Sequence, residues 1–311
     1  MKIVFMGTPD YAVKTLEALI GAGHTVAAVF AQPDKPVGRK QILTPPPVKV
    51  CAQMHGIPVF QPRTLRDGEA EKIIRNIAPD AIAVVAYGKI LPTEILTLPR
   101  YGCVNGHASL LPKYRGAAPI QWCIVNGEKE TGVTAMQMDE GMDTGDILET
   151  AVTEIGAEET AGELFERLSV IGAELLVKTL ADLENGNVTP IKQDESKATA
   201  APIIKKEMAK ISFHDMTAEE VHNAVRGFYP WPVAFFISGG KRIKIIKSRV
   251  VNMRGTAGTV LKSDSELIVA CRKEAVALET IQPEGSKPMT AKQYLCGRPI
   301  ALGTEIEDEN G

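Results

Sequence analysis

An amide, an imidazole and a carboxylate stand close together in this chain: Asn105 and His107 in Asn105-Gly106-His107, and Asp143 in Asp139-Glu140-Gly141-Met142-Asp143-Thr144-Gly145-Asp146. Such a set can move an acyl group onto an amine without a covalent intermediate. The Asn105 amide can donate hydrogen bonds to an oxyanion. His107, with an unperturbed pKa of about 6.5, can donate to the same oxyanion or handle the amine's proton. A carboxylate at Asp143 can orient the imidazole and favour its charged form. Asn-x-His alone is more often a turn element than a catalytic one, so the elements that carry these residues decide the reading.

Those elements read as α/β. Residues 2–6 form a short apolar strand, after which Gly7-Thr8-Pro9 turns into a helix with Thr8 as N-cap and Pro9 at its first position. Val13, Leu16, Leu19 and Ile20 share one helical face, Gly23 ends the helix, and 26–30 is a second strand. This is the βαβ opening of a doubly wound parallel sheet. Gly7 stands where a dinucleotide loop would begin. The later glycines of Gly-x-Gly-x-x-Gly are absent, which excludes the usual nicotinamide cradle. Residues 48–55 suit a helix, 58–60 a strand, 69–77 a helix and 81–86 a fully buried parallel strand. Its exit, Tyr87-Gly88-Lys89-Ile90-Leu91-Pro92, leaves at the carboxyl edge, where ligands bind in open α/β sheets. A strand over 103–105 delivers Asn105 and His107 to that edge. A helix over 117–125, a strand over 132–138 and the acidic, glycine-rich loop then bring Asp143 to the same rim. A strand over 147–155 and a long amphipathic helix over 160–184 complete a Rossmann-like catalytic domain over 1–189.

Two further regions frame this domain. The connection 32–49 is long for its place and mixes five prolines with Lys35, Arg39 and Lys40. Loops of that length in compact domains tend to be functional, and a basic tip at Arg39 and Lys40 suits a polyanion. At the other end, 190–206 reads as an interdomain linker. Thr217-Ala218-Glu219-Glu220 then looks like a capping box, and short strands with glycine turns over 207–311 suggest a small β-barrel of the OB type.

The net charge of -3 is uneven: between Lys205 and Arg254 ten Lys or Arg face four Asp or Glu. That points to an electropositive face on the second domain, carried by Lys241, Arg242, Lys244, Lys247 and Arg249. With 311 residues, 44% of them hydrophobic, two domains are expected and disorder is excluded. The N-terminal apolar run is far short of a signal-peptide core or membrane span, so a cytoplasmic protein is expected. Five widely spaced cysteines with no Cys-x-x-Cys pair suggest neither a disulfide framework nor a zinc site. The histidines show no metal-ligand spacing, and no metal is expected.

The run Ser109-Leu110-Leu111-Pro112-Lys113-Tyr114-Arg115-Gly116-Ala117-Ala118-Pro119-Ile120, with Thr131-Gly132-Val133-Thr134 and Gly141-Met142-Asp143-Thr144-Gly145-Asp146, resembles the signature of the 10-formyltetrahydrofolate-dependent formyltransferases. Gln32 to Arg39, Pro45-Pro46-Pro47-Val48-Lys49, Arg115 to Gln121 and Phe228-Tyr229-Pro230-Trp231-Pro232 resemble the branch of that family that formylates initiator tRNA. The resemblance implies formyl transfer from 10-formyltetrahydrofolate to the α-amino group of methionyl initiator tRNA. It implies catalytic roles for Asn105, His107 and Asp143, and folate binding by Ser109, Leu110, Leu111 and Pro112. It further implies tRNA contacts from the 32–49 loop and the basic C-terminal face, and a monomer. Two positions differ from the family's usual pattern: Gly106 replaces a larger apolar residue, and Phe213 a frequent tryptophan. The alternatives are a sibling enzyme formylating a ribonucleotide or amino-sugar nucleotide, and a non-enzymatic RNA-binding protein.

Overall fold

A computed structural model of the chain describes residues 1–38 and 40–306. In chain order the elements begin with β1 (Lys2–Gly7), α1 (Asp10–Gly21), β2 (Thr25–Phe30), β3 (Lys35–Val37), β4 (Ile42–Thr44) and α2 (Pro47–Met54). Next come β5 (Val59–Phe60), α3 (Glu69–Ile77), β6 (Ala81–Val85), α4 (Thr93–Leu96), β7 (Cys103–His107) and β8 (Arg115–Gly116). Then follow α5 (Pro119–Val125), β9 (Glu130–Gln137), β10 (Ile147–Glu154), α6 (Ala161–Glu184) and β11 (Ala200–Ala201). The chain divides into two compact units. One comprises Met1–Pro119, Glu130–Glu154 and Phe165–Ala201; the other comprises Ile120–Lys129, Ile155–Leu164 and the residues from Pro202 onward.

The first unit is built on a seven-stranded sheet of order β10-β9-β7-β6-β1-β2-β5. β5, β2, β1, β6 and β7 run parallel, and the chain reverses its direction of growth between β1 and β6. That is the switch point whose carboxyl side forms a ligand crevice in doubly wound sheets. Strands β1 and β6 are apolar at nearly every position because helices cover both sheet faces. On one face Val4, Met6, Ala28, Phe30, Ile82, Val84 and Cys103 pack with Ile74, Leu91 and Ile95. Ile82 is fully buried there, and Ile82→Ala is expected to cost about 2–5 kcal/mol, read as a lower midpoint in urea.

Three local expectations give way to tertiary contacts. Thr8 does not cap α1; Pro9 is the N-cap, and no side chain bonds the free amides. The Thr8 hydroxyl instead donates to the Tyr87 carbonyl (3.1 Å) and accepts from the Gln32 amide (3.3 Å), tying three segments at the carboxyl edge. The 32–49 connection is not an irregular loop: β3 and β4 pair as an antiparallel hairpin. Its base is clamped where Lys49 bonds both Asp34 carboxylate oxygens (2.8 and 2.9 Å) and Gln61 (2.8 Å). These partners hold the Asp34 carboxyl below its ordinary range. Finally, β9 runs antiparallel to β7, pairing Val104 with Gln137 and His107 with Thr134. The loop after β9 therefore leaves beside Cys103, at the amino end of β7, where the Met138 amide donates to the Cys103 carbonyl (2.8 Å).

The second unit carries α7 (Ala218–Gly227), capped by Thr217 and Glu220 as a reciprocal box. The antiparallel strands β12 (Phe235–Ser238), β13 (Lys241–Val251), β14 (Val260–Ser263), β15 (Leu267–Ala270) and β16 (Ala275–Pro283) follow in the order β12-β13-β16-β15-β14. β12 and β14 end the path unpaired with each other, so the sheet is a curled half-barrel. Two register shifts in β13 bend it, as bulges do. Phe213 is 1% exposed and packs edge-on against Phe236 at 5.6 Å, so an aromatic still fills the place where the family often has tryptophan. All five cysteines are free thiols.

Candidate active site

Strand pleating puts Asn105 and His107 on one face of β7. It is the face that carries Ile82 and Val84, because Cys103 pairs with Ile82 and Asn105 with Val84. Both are buried, at 8% and 7% exposure. Among the described residues the Asn105 side chain has no hydrogen-bonding partner. Gly106 points to the other face, and a Cβ there would make ordinary contact with Val85 at 3.6 Å; the strand does not demand glycine.

The imidazole is held at one nitrogen and faced by a carboxylate at the other. Nε2 lies 2.9 Å from the Tyr114 carbonyl oxygen, which can only accept, so Nε2 carries a proton. Nδ1 faces Asp143 Oδ2 at 3.6 Å, longer than a hydrogen bond. The proton that comes and goes therefore belongs to Nδ1, on the side of the carboxylate.

Asp143 reaches this position by crossing from the amino end of β7. Its backbone is left-handed, with φ of 55°, a conformation Asp tolerates better than most residues. Asp143 Oδ2 accepts from the Gly116 amide at 2.8 Å. Gly116 has φ of 122°, and a Cβ there would stand 2.7 Å from the Ala201 carbonyl. At Gly145 a Cβ would overlap the Gln137 carbonyl, so the loop closes only with glycine at that point.

The turn after β7 is braced from within. Thr134 donates to the Ser109 carbonyl (2.7 Å) and accepts from the Leu111 amide (3.1 Å). The Ser109 hydroxyl, fully buried, donates to the Lys113 carbonyl (2.7 Å). Leu111 is also buried, while Leu110 and Pro112 stay half-buried.

Sequence reading missed the contribution of 191–201. Ile191 bridges Ile147, Thr199 accepts from the Tyr114 amide (2.9 Å), and β11 pairs with β8. Gln193 donates to the carbonyls of Asp143 (2.9 Å) and Gly145 (2.7 Å) and accepts from Arg115. Its partners are main-chain carbonyls, which leave no trace in residue types. Arg115, by contrast, lay inside a quoted motif.

A cavity of about 480 Å³ is lined by Leu65, Arg66, Ile90, Leu91, Thr93 and Glu140 among others. It shares the 138–146 loop with Asp143, and Thr93 donates to Glu140 at 2.7 Å. The lining does not include Asn105, His107 or Asp143.

The basic residues divide. Lys247 pairs with Glu279 (3.3 Å), and Arg249 with Glu279 (3.2 Å) and Glu266. Lys241, Arg242 and Lys244 have no carboxylate partner among the described residues, and Arg242 lies over the Phe235 ring at 4.1 Å. On the hairpin, Lys40 is exposed, and Arg39 lies outside the described residues. Val37, Ile42 and Leu43 are 56%, 61% and 64% exposed, an apolar surface on a two-stranded ribbon.

Comparison with known proteins bears on this geometry. Residues 1–180 match the model of the formyl transferase family, and 203–299 the model of the formyl transferase C-terminal domain. A methionyl-tRNA formyltransferase of Alkaliphilus oremlandii is 49% identical over 306 residues, covering 97% of this chain and 98% of the relative. That of Geotalea uraniireducens is 48% identical, covering 98% and 97%. The fold is similar to the crystal structure of WlaRD, a sugar 3N-formyl transferase in the presence of dTDP and 5-N-formyl-THF. Its TM-score is 0.68 at 22% identity, covering 92% of this chain and 99% of that one. Matched at nearly half its positions over almost its whole length, the chain belongs to the methionyl-tRNA formyltransferase family of formyltransferases.

Proposed function

We propose that the chain transfers the formyl group of 10-formyltetrahydrofolate to the α-amino group of methionyl initiator tRNA, in the cytoplasm and as a monomer. The observation that carries the chemical reading is the approach of His107 Nδ1 to Asp143 beside an unspent Asn105 amide. The free amine attacks the formyl carbon, and the carbonyl oxygen gains charge as the tetrahedral centre forms. Asn105 and the Nδ1–H of protonated His107 donate to that oxygen, and the Asp143 carboxylate stands 3.6 Å from the same nitrogen, opposite in charge to the imidazolium. The amine proton then passes to the folate nitrogen, the carbon–nitrogen bond to folate breaks, and the formyl group remains on the amine.

The cavity that Glu140, on the loop of Asp143, helps to line suits the folate. Its volume falls in the range of small-molecule sites, and apolar walls at Leu65, Ile90 and Leu91 meet polar groups at Thr93 and Glu140. Ser109, Leu110, Leu111 and Pro112, the stretch the family resemblance assigns to folate, form the turn after β7; Leu110 and Pro112 are half-buried, Ser109 and Leu111 buried. The hairpin follows β2, at the carboxyl edge, and reaches toward the acceptor end of the tRNA with Arg39 and Lys40. Lys241, Arg242, Lys244, Lys247 and Arg249 form the second phosphate-facing surface.

An assay with purified protein, 10-formyltetrahydrofolate and single acceptors tests the reading. Formylation of methionyl initiator tRNA is expected, and formylation of glycinamide ribonucleotide or an amino-sugar nucleotide instead would overturn it. The ion pairs refine the tRNA prediction. Neutralising Lys241, Arg242 and Lys244 should weaken tRNA binding and flatten its salt dependence, by roughly one unit of log–log slope per lost phosphate contact. Neutralising Lys247 and Arg249, already paired with Glu279 and Glu266, should do less. Arg39→Ala and Lys40→Ala should lower turnover as well as binding, because a contact near the amine also positions it. Steady-state kinetics across a salt series checks both sets, with folate affinity expected to stay constant.

A further inference from the structure

We infer that Gln193 is a positioning residue for formyl transfer, a brace that sets the Asp143 carboxylate against His107. The inference rests on the reading of Asn105, His107 and Asp143 given above.

The side-chain amide of Gln193 has every hydrogen-bonding valence filled. Nε2 spends both protons, on the carbonyls of Asp143 (2.9 Å) and Gly145 (2.7 Å). Oε1 accepts from Arg115 Nε (3.1 Å) and Nη2 (2.8 Å). Arg115 is 13% exposed and continues as a two-pronged pair to Glu195, at 2.8 Å on each prong. That pair holds the guanidinium more firmly in its charged form. The residue after Arg115 is Gly116, whose amide binds the Asp143 carboxylate. Asp143 is thus gripped at its carboxylate from one strand and at its carbonyl by Gln193, and Arg115 joins the two grips.

Such a grip matters for a residue of left-handed backbone in a glycine-rich loop. Three peptide units separate the ends of the Gly141-Met142-Asp143-Thr144 segment, and glycines stand at its start and just after it, at Gly141 and Gly145. Without the Gln193 donors, the Asp143 carbonyl has no other partner among the described residues to fix the peptide plane. The carboxylate stands 3.6 Å from Nδ1, close enough for its charge to act on the ring and far enough to leave the Nδ1–H for the oxyanion, a balance that a small tilt would upset. Only an amide satisfies both neighbours: it must donate to two carbonyls and accept from a guanidinium.

The test substitutes Gln193 by glutamate, which keeps shape and the Arg115 contact but turns an acceptor toward two carbonyl oxygens. Gln193→Met, of similar length and without donors, serves if the first variant does not fold. For either variant kcat is expected to fall about tenfold to a hundredfold. Michaelis constants for folate and methionyl-tRNA should stay within about twofold, as for a group that acts only on transition-state alignment. In an Asp143→Asn background the same substitution should cost nothing further, since the group it positions is gone. Wild-type kcat, a loss confined to the Michaelis constants, or a loss that adds fully to that of Asp143→Asn would overturn the inference. Asp143→Asn alone separates the two levels. If it is slow while the Gln193 variants are fast, the brace fails and the site stands; if it turns over like wild type, the site reading fails.

Discussion

His107→Ala should lower kcat by about a hundredfold to a thousandfold, the range for loss of one oxyanion donor and equivalent to about 2.7–4 kcal/mol of transition-state stabilisation. Michaelis constants for both substrates should change little. The structure gives the reason for so lopsided an effect. Nε2–H is committed to the Tyr114 carbonyl, which fixes the ring's orientation, and only Nδ1 is left for chemistry. The imidazole is therefore a held donor, and holding it in advance costs nothing at the moment of reaction. Steady-state kinetics with each substrate varied in turn checks this. If the whole loss lay in the folate Michaelis constant, His107 would be a binding residue and the mechanism would need another donor.

Asn105→Ala is expected to cost a similar factor in kcat and, unlike most buried substitutions, almost nothing in stability. Although the residue is only 8% exposed, its amide is not sealed: among the described residues the sealed polar side-chain atoms without a partner are those of Tyr87 and Ser263. An amide that keeps water and has no described bonding partner contributes little to folding. Replacing it by a methyl group breaks no described hydrogen bond and creates only a small void. A paired measurement decides: kcat should collapse while the urea midpoint holds. Normal turnover with a lowered midpoint would make Asn105 a structural residue.

Much of this was legible in the residues. The buried parallel strands announce themselves as continuous apolar runs, since a strand covered on both faces has no solvent side to alternate with. Asn105, His107 and Asp143 were visible because their types are matched to a reaction. Direction was not visible: residues 132–138 read the same whether the strand runs up or down, so the descent of β9 and the long return of Asp143 needed coordinates. The hairpin at 35–44 was hidden by its prolines and by apolar residues that face solvent instead of a core. The cap expected at Thr8 failed because a tertiary partner, the Tyr87 carbonyl, competed for the hydroxyl. Of five basic residues on β13, two are engaged by Glu266 and Glu279, which sit on other strands or turns and carry no local signal.

The strap formed by 191–201 bears on the order in which the site is made. His107 and Asp143 are both in place before α6 begins, but the groups that align them, Gln193, Thr199 and Ala201, lie beyond that long helix. A chain growing from its amino end presents the reacting groups early and completes their alignment late, when β11 closes on β8. Non-local closures of this kind are slow relative to helix formation. Until then the nascent chain holds Asn105, His107 and Asp143 without the strap that sets the carboxylate against the imidazole.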